Sequence, residues 1–172
     1  MQILPDDADP CFLKKCKALL LTGTGLSSPS MKQATLAAIK TAKEQGCVVV
    51  LDIDYRPVLW GLTAAGDGES RFVASETVTR ELQPLIKDLD LIIGTEEEVM
   101  IVGGSETLGD ALRVIRDSSV ATVVLKRGEK GCEVFESGSQ QSRTARPFPI
   151  KGLNVLGAGD AFASGFLRGW LR

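Results

Sequence analysis

Four short apolar runs, at residues 18–22, 47–53, 89–93 and 121–126, punctuate the chain, and none shows a strict apolar/polar alternation. Runs rich in Val, Ile and Leu without alternation are expected for strands buried on both faces, the condition of a parallel sheet covered by helices. Between the first two runs, Met31, Ala34, Ala38, Ile39 and Ala42 follow helical spacing. Ser28 is placed to cap that helix, Pro29 to occupy its first position and Gly46 to stop it. Strand, helix and strand in this order predict a right-handed crossover unit.

Further along, Gly66-Asp67-Gly68 breaks the chain, and residues 69–87 read as a helix that Pro84 bends or ends early. Thr95 with Glu98 three residues on has the form of a capping box, so a helix is expected after the third strand. Gly103-Gly104 interrupts it, and residues 107–116 form another. After the fourth strand, Gly128 and Gly131 bracket a turn, residues 131–136 begin a hairpin, 137–142 are polar, and 143–150 return as an extended segment. A small-residue turn, Gly157-Ala158-Gly159, then runs into an apolar helix over 161–171. Residues 1–16, with Pro5, Pro10 and an excess of aspartate, read as an irregular lead-in with a short helical turn near Phe12. The alternation of strand and helix over 17–172 makes the fold class α/β, layered on a mostly parallel sheet.

Composition narrows the chemistry. A chain of 172 residues with 44% hydrophobic and 24% charged residues is long enough for one domain with a real core. A net charge of -2 and 5% aromatic residues give no electrostatic or stacking case for nucleic acid, and none for an anionic membrane. No apolar run approaches membrane-spanning length. The absence of histidine excludes Ser-His-Asp and Cys-His catalysis and any His-ligated metal. The four cysteines (Cys11, Cys16, Cys47 and Cys132) form no Cys-x-x-Cys pair. With an acidic N-terminus that lacks a signal-peptide pattern, they fit a reducing, cytoplasmic setting.

Candidate chemistry gathers at the ends of strands and at the glycine turn. Amides at the start of a helix lack intrahelical partners, and glycines let an anion approach them, so Gly157, Ala158 and Gly159 form a plausible anion cradle with Asp160 in the first helical turn. A carboxylate beside an anion site suits the deprotonation of a hydroxyl during phosphoryl transfer. The residues alone leave open an ordinary Gly-rich turn with Asp160 as a helix-start residue. Asp52, Asp54 and Arg56 follow a buried strand, where open parallel sheets place ligands, and a solvated loop explains them equally. Glu98 explains itself as a cap. Lys126, Gly128 and Gly131 belong to a charged turn that is not a Walker A loop, and Gly23-Thr24-Gly25 is either a cleft element or a plain turn.

The segment Asn154-Val155-Leu156-Gly157-Ala158-Gly159-Asp160-Ala161-Phe162 resembles the C-terminal signature of the ribokinase-like (PfkB) carbohydrate kinases. Asp52 to Trp60 is similar to the Asp-x-Asn-x-Arg-x-x-Leu-Trp region of that family, and Thr95 to Glu98 falls where the family has Asn-x-x-Glu, with Thr95 departing from the pattern. The resemblance implies a three-layer ribokinase-like fold and phosphoryl transfer from ATP, with Mg²⁺, to a primary hydroxyl of a small sugar or sugar acid. It implies Asp160 as catalytic base and the amides of Gly157, Ala158 and Gly159 as an anion hole. It also implies Glu98 acting on Mg²⁺ through water, Lys126, Gly128 and Gly131 on the nucleotide side, and Asp52, Asp54 and Arg56 toward substrate or phosphate. The wordings Asp-Ile-Asp-Tyr-Arg-Pro and Asn-Val-Leu before the glycines resemble a branch acting on 5-dehydro-2-deoxygluconate in inositol catabolism. Members of the family carry a longer N-terminal portion with a lid, and segments beyond the last helix. By that comparison the chain is expected to be a partial kinase domain with an incomplete sheet, an exposed edge open to self-association, and weak or absent catalysis alone. A non-catalytic nucleotide- or sugar-binding remnant, or a decayed product, are the other readings that the residues allow.

Overall fold

The computed structural model describes residues 3–64, 73–139, 141–149 and 156–172. Six strands form one sheet in sequential order: β1 (Ala18–Thr22), β2 (Val48–Asp52), β3 (Leu91–Gly94), β4 (Thr122–Lys126), β5 (Cys132–Phe135) and β6 (Ser142–Ala145). The first four pair in parallel, and β5 and β6 add antiparallel. The expected α/β class with a mostly parallel sheet is therefore what forms, and the hairpin expected after Gly131 is the β4–β5–β6 meander.

The order of strands dictates the layers. Each parallel step moves the same way across the sheet, and right-handed crossovers then put every connecting helix on one face. That face carries α2 (Pro29–Glu44), α3 (Glu76–Leu82), α4 (Glu96–Gly103) and α5 (Leu108–Ser118), which bury Ile39, Leu82, Val99 and Ile115 against Val49, Leu51, Ile92, Val123 and Leu125. The other face is covered by α6 (Ala158–Trp170), through Phe162, Ala163, Phe166, Leu167 and Trp170 on Val50, Leu91, Ile93 and Val124. Leu20 on β1, the edge strand, points to that same face and is about half exposed at 48%. The lead-in contains the expected helical turn as α1 (Pro10–Leu13), capped by Asp9, whose side chain accepts from the Cys11 amide. Cys47 is buried, and its thiol donates to the carbonyls of Leu13 and Cys16.

Local signals set most helix ends. Ser28, Thr95 and Thr107 cap α2, α4 and α5, each accepting from an amide three residues on. Two expectations are corrected, and the start of the last helix is explained. The helix expected over 69–87 is α3 from Glu76, capped by Ser75, followed from Gln83 to Asp88 by a 3-10 turn around Pro84; residues 73–75 are not helical. The ring of Pro84 removes an α-helical donor, and the tighter turn absorbs the change. The last helix begins in the glycine turn, at Ala158, with Asp160 in its first turn as expected, because Gly157 takes a left-handed conformation (φ 74°) that an L side chain resists and so serves as the cap. The extended return is only Ser142–Ala145. The Gly66-Asp67-Gly68 break, residues 69–72, and Asn154 and Val155 of the signature lie outside the described residues.

Gly103 closes the contact between α4 and α5. A β-carbon there would sit 2.4 Å from Ala111 Cα and 2.8 Å from its carbonyl oxygen, so the two backbones meet where no side chain fits. Helix propensity alone makes Gly103→Ala stabilising by about 1 kcal/mol. Overpacking reverses the sign, and a net loss of about 1–3 kcal/mol is expected by urea denaturation. A more stable variant would contradict the packing.

Candidate functional site

Parity along the strands builds the site. Side chains alternate between faces, so residues two apart share one. On β2 the α6-facing set continues from Val50 to Asp52, and on β4 from Val124 to Lys126. Both charged residues are therefore the last members of an apolar row at the C-terminal end of the sheet. There the start of α6 arrives: a β-carbon added to Gly159 would lie 3.7 Å from Lys126 Nζ.

Lys126 lies at the centre of an ion cluster. Its ammonium donates to Asp52 Oδ1 at 2.8 Å and sits 3.8 Å from Glu98 Oε2. Asp52 is 4% exposed, and the Glu98 and Lys126 side chains are 12% and 16% exposed. Burial pushes both carboxyls above their ordinary range, and the Lys126 charge opposes it. For Asp52, the like charges of Asp54 and Asp160 act in the same direction as burial, which puts Asp160 in the same electrostatic neighbourhood. Glu98 also completes the capping box: its Oε2 accepts from the Thr95 amide at 2.7 Å, while the Thr95 hydroxyl accepts from the Glu98 amide. Gly94 makes this possible, since a β-carbon there would meet Ile53 Cδ1 at 2.6 Å and Glu98 Cβ at 3.3 Å.

The remaining expected residues divide. Asp160, at the third position of α6, is exposed, as are Gly157 and Ala158. The amides of Ala158, Gly159 and Asp160 precede the first α6 hydrogen bond, from Ala161 N to the Gly157 carbonyl. Arg56 turns its guanidinium back on Asp54, with Nε 3.2 and 3.1 Å from the two carboxylate oxygens. It is also the one non-glycine at positive φ (50°) among the described residues, and it precedes Pro57. Such backbone costs on the order of 1–3 kcal/mol and collects at functional sites. Next to it, buried Tyr55 exchanges two hydrogen bonds with the backbone of Val73. Gly128 and Gly131 both take positive φ in the turn after β4; a β-carbon on Gly131 would strike the Ala145 carbonyl at 2.0 Å. Lys126, expected on that loop with Arg127 and Lys130, instead points into the sheet end. Arg127 pairs with Glu133 at 2.9 Å. Gly23-Thr24-Gly25 is a 3-10 turn whose first amide donates to Ile53, a packed βα turn.

A cleft of about 330 Å³ opens beside the cluster, lined by Thr95, Glu96, Glu97, Lys126, Arg127, Gly128 and Lys130. A larger one of about 490 Å³ lies elsewhere, between Phe166 and Trp170 of α6 and the β4–β5–β6 meander. For a metal, no group of three or more His, Cys, Asp or Glu able to hold an ion occurs among the described residues. Mg²⁺ keeps much of its water, so a single carboxylate with a spare oxygen suits it. Glu98 Oε1 fits that requirement, since only Oε2 is used by the cap and Lys126 among the described residues. No helix among the described residues is long and apolar enough to cross a membrane.

A family model described as pfkB family carbohydrate kinase matches residues 4–172. The 5-dehydro-2-deoxygluconokinase of Clostridium perfringens is 30% identical over 175 residues, covering 99% of this chain and 48% of that protein. The enzyme of the same name from Shouchella clausii is also 30% identical over 175 residues, covering 100% and 49%. The chain thus spans about half the length of the curated relatives it matches. Among solved structures, a provisionally named ribokinase II from E. coli, in complex with ATP and Mg²⁺, superposes with a TM-score of 0.78 at 21% identity, over 96% of this chain and 49% of that one. Aminoimidazole riboside kinase from Salmonella enterica, complexed with aminoimidazole riboside and an ATP analogue, gives 0.75 at 18%, over 99% and 52%. The fold is ribokinase-like, as expected.

Removing the Lys126 ammonium leaves buried Asp52 and largely buried Glu98 uncompensated, and Lys126→Met is expected to cost about 3 kcal/mol at neutral pH. The pH dependence follows from the direction of the shifts. Carboxyls raised in the folded state bind more protons there than in the unfolded chain, so they lower stability as pH rises from their ordinary values toward the raised ones. Without Lys126 that slope steepens. The gap between variant and parent should narrow as the pH is lowered to about 5, measured by urea denaturation; a gap independent of pH would contradict the cluster.

Proposed function

Because the chain belongs to the pfkB family of carbohydrate kinases, we propose that it carries the phosphoryl-transfer site of an ATP-dependent kinase acting on a primary hydroxyl of a sugar acid, with 5-dehydro-2-deoxygluconate as the favoured substrate. The observation that carries the reading is the meeting, at the C-terminal end of one sheet, of an exposed carboxylate, the open amides of a helix start and a largely buried cation. The substrate preference rests on the names of the curated relatives at 30% identity and on the Asp-Ile-Asp-Tyr-Arg-Pro wording at residues 52–57.

In this reading Asp160 accepts the hydroxyl proton as the substrate oxygen bonds to the transferring phosphorus. The bond from that phosphorus to the nucleoside diphosphate breaks. The amides of Ala158, Gly159 and Asp160 take up the charge on the phosphoryl oxygens, helped by the helix dipole. Asp160 suits the role because it is exposed at the first turn, within reach of a ligand seated on those amides. Glu98 would hold Mg²⁺ through water, and the metal would neutralise phosphate charge. Gly128 and Gly131 shape the turn at the neighbouring cleft, where the backbone is open to a nucleotide. Arg56 offers its fork to a carboxylate or phosphate by exchanging Asp54 for the ligand. A second reading is binding of nucleotide without turnover, since the cleft beside Lys126 and the amides at the start of α6 would hold phosphates whether or not Asp160 meets a hydroxyl.

The test is MgATP-dependent phosphorylation of a panel of sugars and keto-sugar acids by the purified protein, beside Asp160→Asn. Loss of the base is expected to lower turnover by about 10²–10⁴-fold while MgATP affinity is kept. Equal turnover by a folded Asp160→Asn would refute the assignment. MgATP binding without product from the parent would favour the second reading.

A further inference from the structure

All four cysteines are free thiols, and the proposed kinase chemistry uses none of them. Two of them meet at the N-terminal end of the sheet. Cys47 is 4% exposed just before β2, and its thiol donates to the carbonyls of Leu13 at 3.0 Å and Cys16 at 3.2 Å, the second across 31 residues of sequence. Cys16 is half-buried between α1 and β1, and it packs against the same apolar core that contains Cys47. Its own thiol donates to Phe12 O at 3.5 Å. The backbone sets the spacing of the pair. Ala18 pairs with Val48, and the Val48 amide donates to Lys17 O, so Lys17 lies beside Cys47. With strands about 4.8 Å apart and one more Cα step of about 3.8 Å to Cys16, the two cysteine Cα atoms stand about 6 Å apart. Disulfides span about 4.4–6.8 Å between Cα atoms. Rotation of Cys16 about χ1 carries its sulfur from Phe12 toward Cys47. Little is lost by that motion, because a thiol is a weak donor. The carbonyl of Leu13 also accepts from the Cys16 amide at 2.8 Å, and that of Phe12 from the Lys15 amide at 3.0 Å, so both keep a partner when the thiol protons leave.

We propose that Cys16 and Cys47 are a redox pair, a modification site where a peroxide forms a reversible disulfide that staples the lead-in to the start of β2. Cys16, the more open of the two, reacts first. Its sulfur attacks hydrogen peroxide, an S–O bond forms, the O–O bond breaks, and hydroxide leaves with the thiol proton as water. The Cys47 sulfur then attacks the Cys16 sulfur. The S–S bond forms, the S–O bond breaks, and the departing hydroxide takes the Cys47 proton. Two thiols and one peroxide thus give one disulfide and two waters. Cys47 is shielded from the oxidant by burial and serves as the resolving thiol. A small dithiol reverses the bond by exchange. The bond would constrain the unfolded chain over the loop it closes and so stabilise the fold. It lies at the end of the sheet opposite Asp52 and Lys126, and the inference is independent of the kinase reading.

The test treats the reduced, purified protein with a small excess of hydrogen peroxide and maps its peptides by mass spectrometry without reduction. The parent should lose two hydrogens per molecule and yield one linked peptide pair, Cys16 with Cys47, that dithiothreitol separates. Its Tm should rise by about 5–10 °C on oxidation. Cys16→Ser should show neither the link nor the rise, and Cys11→Ser should show both. The mapping needs no variant, so it decides the matter even where Cys16→Ser fails to fold. Conversion of Cys16 to a sulfinic acid with Cys47 still a thiol would overturn the inference. So would a disulfide that joins Cys11, Cys132 or two molecules instead, or an oxidised parent no more stable than the reduced one.

Discussion

One ammonium pairs with a buried carboxylate and approaches a second, largely buried one at the end of this sheet, and the geometry of the candidate site follows from it. Lys126 bridges β4 to β2 through Asp52 and approaches Glu98 at the start of α4. Charges this far from water are unfavourable alone and are kept only when paired. The pairing therefore fixes the relative positions of two strand ends and a helix start. It also fixes where positive charge stands when a helix start, with its own partial charge, arrives beside it at Gly159.

Topology explains why that meeting point exists. Sequential parallel strands joined by right-handed crossovers send α2 to α5 to one face, so among the described residues the opposite face is left for α6. Parity then makes the α6-facing rows of β2 and β4 end in Asp52 and Lys126 rather than in further apolar residues. Apolar packing of Phe162, Phe166 and Trp170 holds α6 down along the sheet, and its first turn reaches the polar ends of those rows. Hydrophobic burial thus aims the helix, and the charged ends of two strands receive it. Leu20 shows the limit of the cover: it lies on the same face at the edge strand, where α6 leaves it half exposed.

Much of the scaffold was legible in the residues. Four apolar runs without alternation are four parallel strands, and Ser28 and Thr95 cap the helices they precede, because both signals are local. What was not legible depends on distant partners or on backbone conformation. Nothing near Lys126 announces Asp52, and a Lys-Arg-Gly turn reads as an exposed loop until strand parity is known. Which glycine caps α6 is a matter of backbone conformation: Gly157 and Gly159 look alike in sequence, yet of the two only Gly157 carries the left-handed angle that caps the helix. Glu98 was read both as a cap and as a metal-side carboxylate. The two are compatible in space, since one oxygen serves the cap and the other is spare among the described residues.

The most direct measurement is a crystal structure of the protein with Mg²⁺ and a non-hydrolysable ATP analogue. The terminal phosphate is expected against the amides of Ala158, Gly159 and Asp160, within hydrogen-bond reach of Lys126 Nζ, with the Asp160 carboxylate facing its open side. A nucleotide bound with its phosphates away from the start of α6, or a Lys126 ammonium that still touches only carboxylates beside a bound phosphate, would contradict the central claim.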